Sequence, residues 1–265
     1  MATRLVFTSV RGAPGCTVAS LAVAAVLAET SESLWVEADP AGGVLAATAV
    51  GVSPRPSLEN VAFADARTAD TATLVDGAAQ RLGDLAVLPV PTDGWLVSMA
   101  LDRPRHEWVN GIGRRPGWVM ADVGRISPAS PAWPLVRVAD VVVVVCAPEP
   151  VSLVSALEWL ERGRRGNAQD VTSAVATARL LTVAPPRGIR RVYGTDRLRA
   201  ELGDRYWGEL PFDARAVDLL LRGASTRHRS LRSTPLLLAA RALAHDLAAA
   251  AQPRVAPALV NGQTI

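Results

Sequence analysis

The sequence predicts an α/β protein in which a mostly parallel, twisted sheet of about seven or eight strands carries helices on both faces. Short apolar runs alternate with helical patterns along almost all of the 265 residues, which is the order of a βαβ chain. The apolar runs are continuous, as in parallel strands buried on both faces. No internal repeat or linker divides the chain, so residues 1–252 are predicted to form one domain.

The first half of the chain begins with an apolar strand, Leu5–Ser9, which ends in a glycine-bearing turn. The alanine-rich segment Cys16–Glu29 predicts a helix. Leu34–Glu37 and Leu85–Pro89 are short apolar runs and predict the next strands, with a helix over Thr71–Leu82 between them.

The second half continues the alternation. Its strands are predicted at Trp118–Asp122, Val141–Ala147, Leu180–Ala184 and Tyr206–Leu210, and its helices at Val151–Arg162, Thr195–Leu202, Ala214–Arg222 and Pro235–Ala250. Proline and glycine predict long loops at Gly51–Ser57 and Gly124–Pro134. Trp95, Trp108 and Trp133 are also placed in loops.

Composition restricts the classes of function. All 28 basic residues are arginine, and with 25 acidic residues the formal net charge is +3, which permits an anionic partner without requiring one. Two cysteines, Cys16 and Cys146, are too few for a zinc site or a disulfide framework, and they favour a reduced, cytoplasmic setting. No apolar run reaches the roughly 20 residues of a membrane span, and the N-terminus does not read as a signal peptide.

The segment SVRGAPGCTVAS, residues 9–20, is a turn between the first strand and the first helix. Backbone N–H groups at a helix N-terminus bind phosphate, and Gly12 and Gly15 would let the backbone approach it closely. Thr17 supplies a hydroxyl where a nucleotide site places a Mg²⁺ ligand. The alternative is an ordinary tight turn in which Thr17 caps the helix.

Acidic residues follow the other strands. Glu37 and Asp39 lie in LWVEADPAGG, Asp122 lies in GWVMADVGRI, and Pro211-Phe212-Asp213 follows the strand at 206–210. Ligands of parallel sheets bind at the carboxyl ends of strands, so these residues are candidates for one site. The alternative is that they only end strands near solvent.

In this order the motifs resemble the ParA/MinD family of deviant Walker-type ATPases over roughly residues 3–250. The resemblance implies Mg²⁺ at Thr17 and Asp122, Asp39 as the residue that orients the attacking water, and Arg11 as a cation that reaches the partner's nucleotide in a homodimer. It also implies nucleotide contacts along the loop and the late turn, at Gly12, Ala13, Pro14, Gly15, Cys16, Thr17, Val18, Pro211 and Asp213.

The departures from the family pattern bear on activity. The family loop Lys-Gly-Gly-x-Gly-Lys-Thr-Thr reads Arg-Gly-Ala-Pro-Gly-Cys-Thr-Val from Arg11. Cys16 therefore removes the charge that holds the β- and γ-phosphates. The asparagine with which the family recognises the nucleotide base is also absent near the end of the strand at 180–184. ATP or ADP with Mg²⁺ is expected to bind weakly, and hydrolysis to be slow or lost.

Cys16 raises a separate question. A thiol at a helix N-terminus has a lowered pKa where it is exposed, and the alternative is a small buried side chain that fills space. The two cysteines do not match the paired cysteines of the related nitrogenase iron protein, so an iron–sulfur cluster is not expected.

The resemblance implies a protein that positions or partitions a cargo together with a protein partner of a partition, secretion, pilus or division system. Two alternatives stay open: a catalytically dead scaffold, and a slow ATPase switch that uses Arg11 or a partner's Arg. A metabolic enzyme of the same superfamily is a third alternative, which Cys16 disfavours.

Two surfaces concern larger partners. Arg222, Arg227, Arg229 and Arg232 form a basic cluster that would suit non-specific DNA contacts, and the alternative is a solvated face between helices. The segment after Pro253, with two prolines and one charge, makes a poor interfacial helix. A membrane role is therefore disfavoured, and residues 253–265 are predicted to be a flexible tail.

Overall fold

The computed structural model describes residues 2–12, 15–64, 70–103, 107–165, 178–186 and 192–251, and at its centre lies an eight-stranded sheet. The strands are β1 (Thr3–Ser9), β2 (Ser33–Glu37), β3 (Gln80–Leu82), β4 (Leu85–Leu88), β5 (Trp118–Arg125), β6 (Val141–Cys146), β7 (Arg179–Val183) and β8 (Tyr206–Leu210). Their order is β3-β4-β2-β5-β1-β6-β7-β8. Every neighbouring pair is parallel except β3 and β4, which confirms the predicted fold class.

Helices cover both faces of the sheet. They are α1 (Cys16–Leu27), α2 (Leu45–Thr48), α3 (Leu58–Phe63), α4 (Thr71–Ala78), α5 (Gly94–Leu101), α6 (Glu107–Gly113), α7 (Trp133–Arg137), α8 (Pro150–Arg165), α9 (Thr195–Leu202), α10 (Ala214–Leu221) and α11 (Pro235–Ala251), with a 3₁₀ turn at Gly203–Arg205. Helices α1, α2, α10 and α11 contribute to the core on one face. Helices α3 to α9 contribute to the core on the other.

Helix α1 shows why the alanine-rich segment folds as it does. Most of its residues are buried, because it lies between the sheet and α11, where small side chains allow close approach. Trp35 of β2 is fully buried, and its indole N–H donates to the Ser20 hydroxyl of α1 at 2.9 Å. This contact fixes the first helix against the strand that carries Glu37.

The predicted helix Thr71–Leu82 is too long. Helix α4 ends at Ala78, and Gln80–Leu82 instead pairs antiparallel with β4. Gly83 allows the reversal because its φ of +58° lies in the left-handed region that other residues avoid. The Gln80 amide also donates to the Ser53 and Pro56 carbonyls, which holds this edge strand in place.

The predicted loop Gly124–Pro134 is shorter in the structure. Strand β5 continues to Arg125, and Ile126 N–H still donates to the Ser9 carbonyl at 2.9 Å, so the central pairing extends past Asp122. The three tryptophans predicted in loops lie in helices instead, Trp95 in α5, Trp108 in α6 and Trp133 in α7. Trp108 is buried in the core, and this burial accounts for a helix in a segment interrupted by Gly and Pro.

The predicted tail at residues 253–265 lies outside the described residues. Among the helices that are described, none combines the length and apolar character needed to cross a bilayer.

Candidate nucleotide site

Three strands bring the predicted site residues to one edge of the sheet. In the register of the central strands, Phe7 of β1 and Glu37 of β2 both lie opposite Asp122 of β5. The turn that follows β1 leads into α1 through Gly15, whose φ is +90°. Ala13 and Pro14 of this turn lie outside the described residues. The described residues of this turn, which we call the phosphate loop (residues 9–17), therefore meet the acidic residues at the carboxyl edge, where parallel sheets bind ligands.

Cys16 is the first residue of α1 and is buried against this edge. Burial raises the pKa of its thiol well above the ordinary value, and the charge of Asp122, its hydrogen bond and the charge of Asp39 raise the pKa further. The lowered pKa expected of an exposed thiol at a helix N-terminus therefore does not apply. Cys16 is therefore an uncharged side chain at the position where the predicted resemblance would place a lysine.

Asp122 is fully buried at the end of β5. Burial raises the pKa of its carboxyl group, while Thr17, the Gly124 N–H and Cys16 lower it by hydrogen bonding. Its Oδ1 accepts from the Gly124 N–H at 3.1 Å. Its Oδ2 is buried without a hydrogen-bond partner of good geometry among the described residues, and such an atom marks a place where an ion or water is expected.

These residues fit a Mg²⁺ ion. A hydroxyl from Thr17 and a carboxylate from Asp122 are hard oxygen donors, and Mg²⁺ in nucleotide sites takes few protein ligands because water and phosphate supply the rest. No group of three or more His, Cys, Asp or Glu side chains able to hold a metal occurs in the described part of the chain. When bound, the ion would supply positive charge beside the phosphates.

Replacing Asp122 by Asn is expected to raise the free energy of unfolding by about 1–2 kcal/mol in metal-free buffer near pH 7, because the buried and partly unsatisfied carboxylate is costly when ionised. The native protein keeps the Asp122 proton to a higher pH than the unfolded chain does. Stability of the parent should therefore fall as pH rises from the ordinary pKa of 3.8 towards the raised value, and Asp122→Asn should remove this part of the decline.

Urea unfolding with a chelator present, from about pH 4 to pH 8, measures both effects. Asp218→Asn is the matched control, since Asp218 lies on the surface of α10 in an ion pair with Arg222. A less stable Asp122→Asn protein near neutral pH would contradict the account of this carboxylate.

Glu37 and Asp39 shape the segment after β2. The buried Glu37 carboxylate accepts from the backbone N–H groups of Val44 at 2.6 Å, Leu45 at 3.0 Å and Val90 at 3.2 Å. Asp39 Oδ1 accepts from the Ala41 N–H at 2.8 Å. Glu37 thus holds the backbone of this segment in place, and Asp39 remains the candidate to orient a water molecule.

Gly124 sets the position of Asp39 next to Asp122. A Cβ at Gly124 would lie 2.1 Å from the Asp39 carboxyl carbon, so a larger residue would push Asp39 away. Thr8 holds the same turn, since its hydroxyl donates to the Gly124 carbonyl at 3.0 Å. The sequence gives no sign of this role, because the positive φ of +58° at Gly124 is visible only in the structure.

Arg11 extends away from the phosphate loop. Its Nε donates to the Ser155 hydroxyl of α8 at 3.1 Å, and the side chain is exposed. The structure therefore brings together Cys16, Thr17, Asp39 and Asp122 but does not place the Arg11 guanidinium among them.

A cavity of about 530 Å³ adjoins the start of α1. Gly15 and Val18 of the loop and helix line one wall, and Pro211 and Phe212 after β8 line another. Asp213 also lines it, although its Oδ1 is held by the Ala216 N–H at 3.0 Å, as the N-cap of α10. The cavity is large enough for a nucleotide base and sugar, and its walls are mainly apolar.

No protein-family model matches the sequence, and no curated protein matches it either. Solved structures do match. A ParA family ATPase from Chlorobium tepidum has a TM-score of 0.72 at 16% identity, covering 93% of this chain and 98% of that one. The MinD cell division ATPase of Pyrococcus furiosus has a TM-score of 0.71 at 17% identity, covering 95% and 100%.

The fold is that of the ParA and MinD ATPases. MinD from Pyrococcus horikoshii, solved in complex with Mg-ADP, adds a TM-score of 0.69 at 14% identity, with 93% of this chain and 96% of that chain covered. At these identities the likeness concerns the fold, and the predicted likeness to ParA and MinD proteins is confirmed at that level.

Within this ParA/MinD fold, the predicted DNA-binding arginines lie far from the phosphate loop. They follow α10 and lie at the edge of the sheet where the parallel strands begin. The Ser225 hydroxyl in the same segment shows this position, because it donates to Asp84, the residue just before β4. Arg222 pairs with Asp218 at 2.9 Å, and Arg227 donates to the Glu29 carbonyl. Arg229 and Arg232 are exposed and have no ion-pair partner among the residues that the structure describes.

Proposed function

We propose that this chain is a divergent ParA/MinD-like protein that positions or partitions a cargo through dimer and partner binding, with weak or absent ATP hydrolysis. The ParA/MinD fold and the retained site geometry support the proposal. The observation that carries it is the neutral, buried thiol of Cys16, which lies against Asp122 where the related loop has a lysine.

The electrostatics of the loop explain why nucleotide binding would be weak. The charges that act on the Cys16 thiol are those of two carboxylates, Asp122 and Asp39. A triphosphate that entered this site alone would be repelled, so binding is proposed to require Mg²⁺ between Thr17, Asp122 and the phosphates. Without a lysine, turnover would be lower by roughly 10²–10³-fold, the usual cost of losing one transition-state contact.

Calorimetric titration with MgATP and MgADP tests the proposal, together with the same nucleotides in chelator. Weak binding that disappears without Mg²⁺ is the expected result. Tight binding with rapid hydrolysis would overturn the proposal and favour a working ATPase switch. If adding nucleotide gave neither binding heat nor a change in melting temperature, the chain would act only as a scaffold, with the site serving as an interface to a partner.

Homodimerisation is part of the proposal and has its own measurement. Light scattering coupled to size-exclusion chromatography, with and without MgATP, gives the mass of the particle. A monomer under both conditions would contradict the dimer, while leaving the account of the nucleotide site to the calorimetry.

Non-specific DNA binding is a second proposed activity, and it depends on Arg229 and Arg232. Because these side chains are exposed without ion-pair partners in the described residues, they are available for phosphate contacts. Replacing both by Ala is expected to weaken binding to a random-sequence duplex and to reduce the slope of log K against log salt by about 2, one unit for each lost phosphate contact.

Fluorescence anisotropy across a series of salt concentrations measures this change. Arg222→Ala is the matched control, because Arg222 is already paired with Asp218 and should contribute less. DNA binding that does not weaken as salt rises, or a double variant equal to the parent, would exclude these contacts.

A further inference from the structure

A second cavity, of about 560 Å³, lies beside the phosphate loop on the face of the sheet that carries α8. It is enclosed by Val10 and Arg11 just after β1, by Arg125 at the end of β5, and by residues of α7 and α8. We call it the arginine cavity. It shares no lining residue with the cavity that includes Pro211 and Phe212, so it is a separate place for a ligand.

The lining of the arginine cavity has an excess of positive charge. Among the described residues, Arg11, Arg125, Arg137 and Arg162 line it together with one carboxylate, that of Glu158. Arg11 donates to the neutral Ser155 hydroxyl, and among the described residues neither Arg125 nor Arg162 has an ion-pair partner. Positive charges gathered in a concave site raise the local concentration of anions.

The same cavity contains two indole rings. Trp133 and Trp159 are half-buried and contribute to its walls, and the Trp133 N–H donates to the Ser127 carbonyl at 2.9 Å, which fixes that ring. On α8 the residues Ser155, Glu158, Trp159 and Arg162 follow the spacing of one helix face. The rings and the guanidinium groups are thus presented to one space.

This combination selects a class of ligand. Guanidinium groups match phosphate oxygens in a two-point geometry, and indole rings stack on flat heteroaromatic rings. A volume of about 560 Å³ is far larger than a single phosphate requires and lies in the range of small organic ligands.

We propose that the arginine cavity binds a small nucleotide, a ligand that joins a planar heteroaromatic ring to one or two phosphate groups. The phosphate lies among Arg11, Arg125 and Arg162, and the ring lies against Trp133 or Trp159. Because Arg11 directly precedes Gly12, a ligand held here also fixes the chain that leads into the phosphate loop.

Calorimetry on the full chain in chelator tests the proposal, since the Mg²⁺-dependent loop site is then disabled. The probes are GMP and AMP, with guanosine, inorganic pyrophosphate and a short polyglutamate peptide as comparisons. We expect GMP or AMP to bind and to change the tryptophan fluorescence. Arg125→Ala and Arg162→Ala should each weaken that binding roughly 10- to 100-fold, as for loss of a charge-assisted contact.

Arg81→Ala removes the same charge from the exposed surface of the edge strand β3 and should leave the affinity unchanged. Trp133→Phe and Trp159→Phe identify the source of the fluorescence change. Arg125 and Arg162 are exposed, so their variants should keep the parent's circular dichroism spectrum, and Arg125→Lys should retain part of the affinity.

Four results would overturn the proposal. The first is that neither GMP nor AMP binds, and the second is that they bind but Arg125→Ala and Arg162→Ala leave the affinity unchanged. The third is that guanosine or pyrophosphate binds as tightly as the nucleotides. The fourth is that polyglutamate binds and the nucleotides do not. The last result would assign the cavity to an acidic segment of a protein.

Discussion

Replacing Cys16 by Lys, together with Ala13 by Gly, should tighten the binding of MgATP by roughly 10- to 150-fold. This range corresponds to one added charge-assisted hydrogen bond of about 1.5–3 kcal/mol. The new ammonium group would enter an edge where Asp122 and Asp39 already act on position 16. Those carboxylates would stabilise the lysine in the absence of nucleotide, so the variant should remain folded.

Calorimetry measures the affinity, and an ATPase assay measures any gain in turnover. Cys16→Met is the matched control, because methionine adds length to the side chain without adding charge. If the lysine and methionine variants bound MgATP equally well, the gain would reflect packing and not charge. Equal, measurable ATPase rates in the parent and the Cys16→Lys, Ala13→Gly protein would show that our account of the loop is wrong.

The order of motifs predicted the fold well because parallel strands are constrained by burial on both faces. Val141–Cys146, for example, is an almost unbroken apolar run, and little except a central strand fits it. Strand β3 could not be found in this way. Its three residues, Gln80–Leu82, contain one apolar side chain and follow a helical pattern without a break. The first turn signal, Gly83, comes only after them.

The residues of the candidate site also fall into those that the sequence predicts and those that it does not. Thr17 and Asp122 could be placed at one edge because the chain direction of parallel strands puts both at the carboxyl ends, while their pairing at Mg²⁺ was implied by the resemblance to the ParA/MinD family. The role of Glu37 could not be predicted, since one of its partners, Val90, lies 53 residues away and backbone N–H groups leave no signature in a sequence. The arginine cavity was missed for a similar reason: its arginines come from the turn after β1 and from β5, α7 and α8, separate segments that only the fold brings together.

Glu37 also gives the largest expected change in stability. Replacing it by Ala should lower the free energy of unfolding by about 2–5 kcal/mol, because the N–H groups of Leu45 and Val90 would be buried without an acceptor. Those two residues are almost fully buried, so water cannot easily replace the carboxylate. Relief of the desolvation that raises the pKa of Glu37 would offset part of this loss.

Glu37→Gln separates the hydrogen bonds from the charge. Its side-chain oxygen can still accept from Val44 and Leu45, while its amide group faces the Val90 N–H as a second donor. We therefore expect a smaller loss of about 1–3 kcal/mol, close to the cost of one buried unsatisfied group. Urea unfolding of the parent and both variants gives the three values.

Gly43→Ala tests the same contact between Glu37 and the loop without changing Glu37 itself. A Cβ there would lie 2.5 Å from Glu37 Oε2 and 2.5 Å from the Val90 carbonyl oxygen, so the loop must shift although the carboxylate remains. Hydrogen exchange should report faster exchange at the Leu45 and Val90 amides in both Gly43→Ala and Glu37→Ala. Because this loop carries Asp39, its loosening should also weaken any Mg²⁺-dependent nucleotide binding. Unchanged protection of the Leu45 and Val90 amides in Glu37→Ala would mean that another group holds the loop.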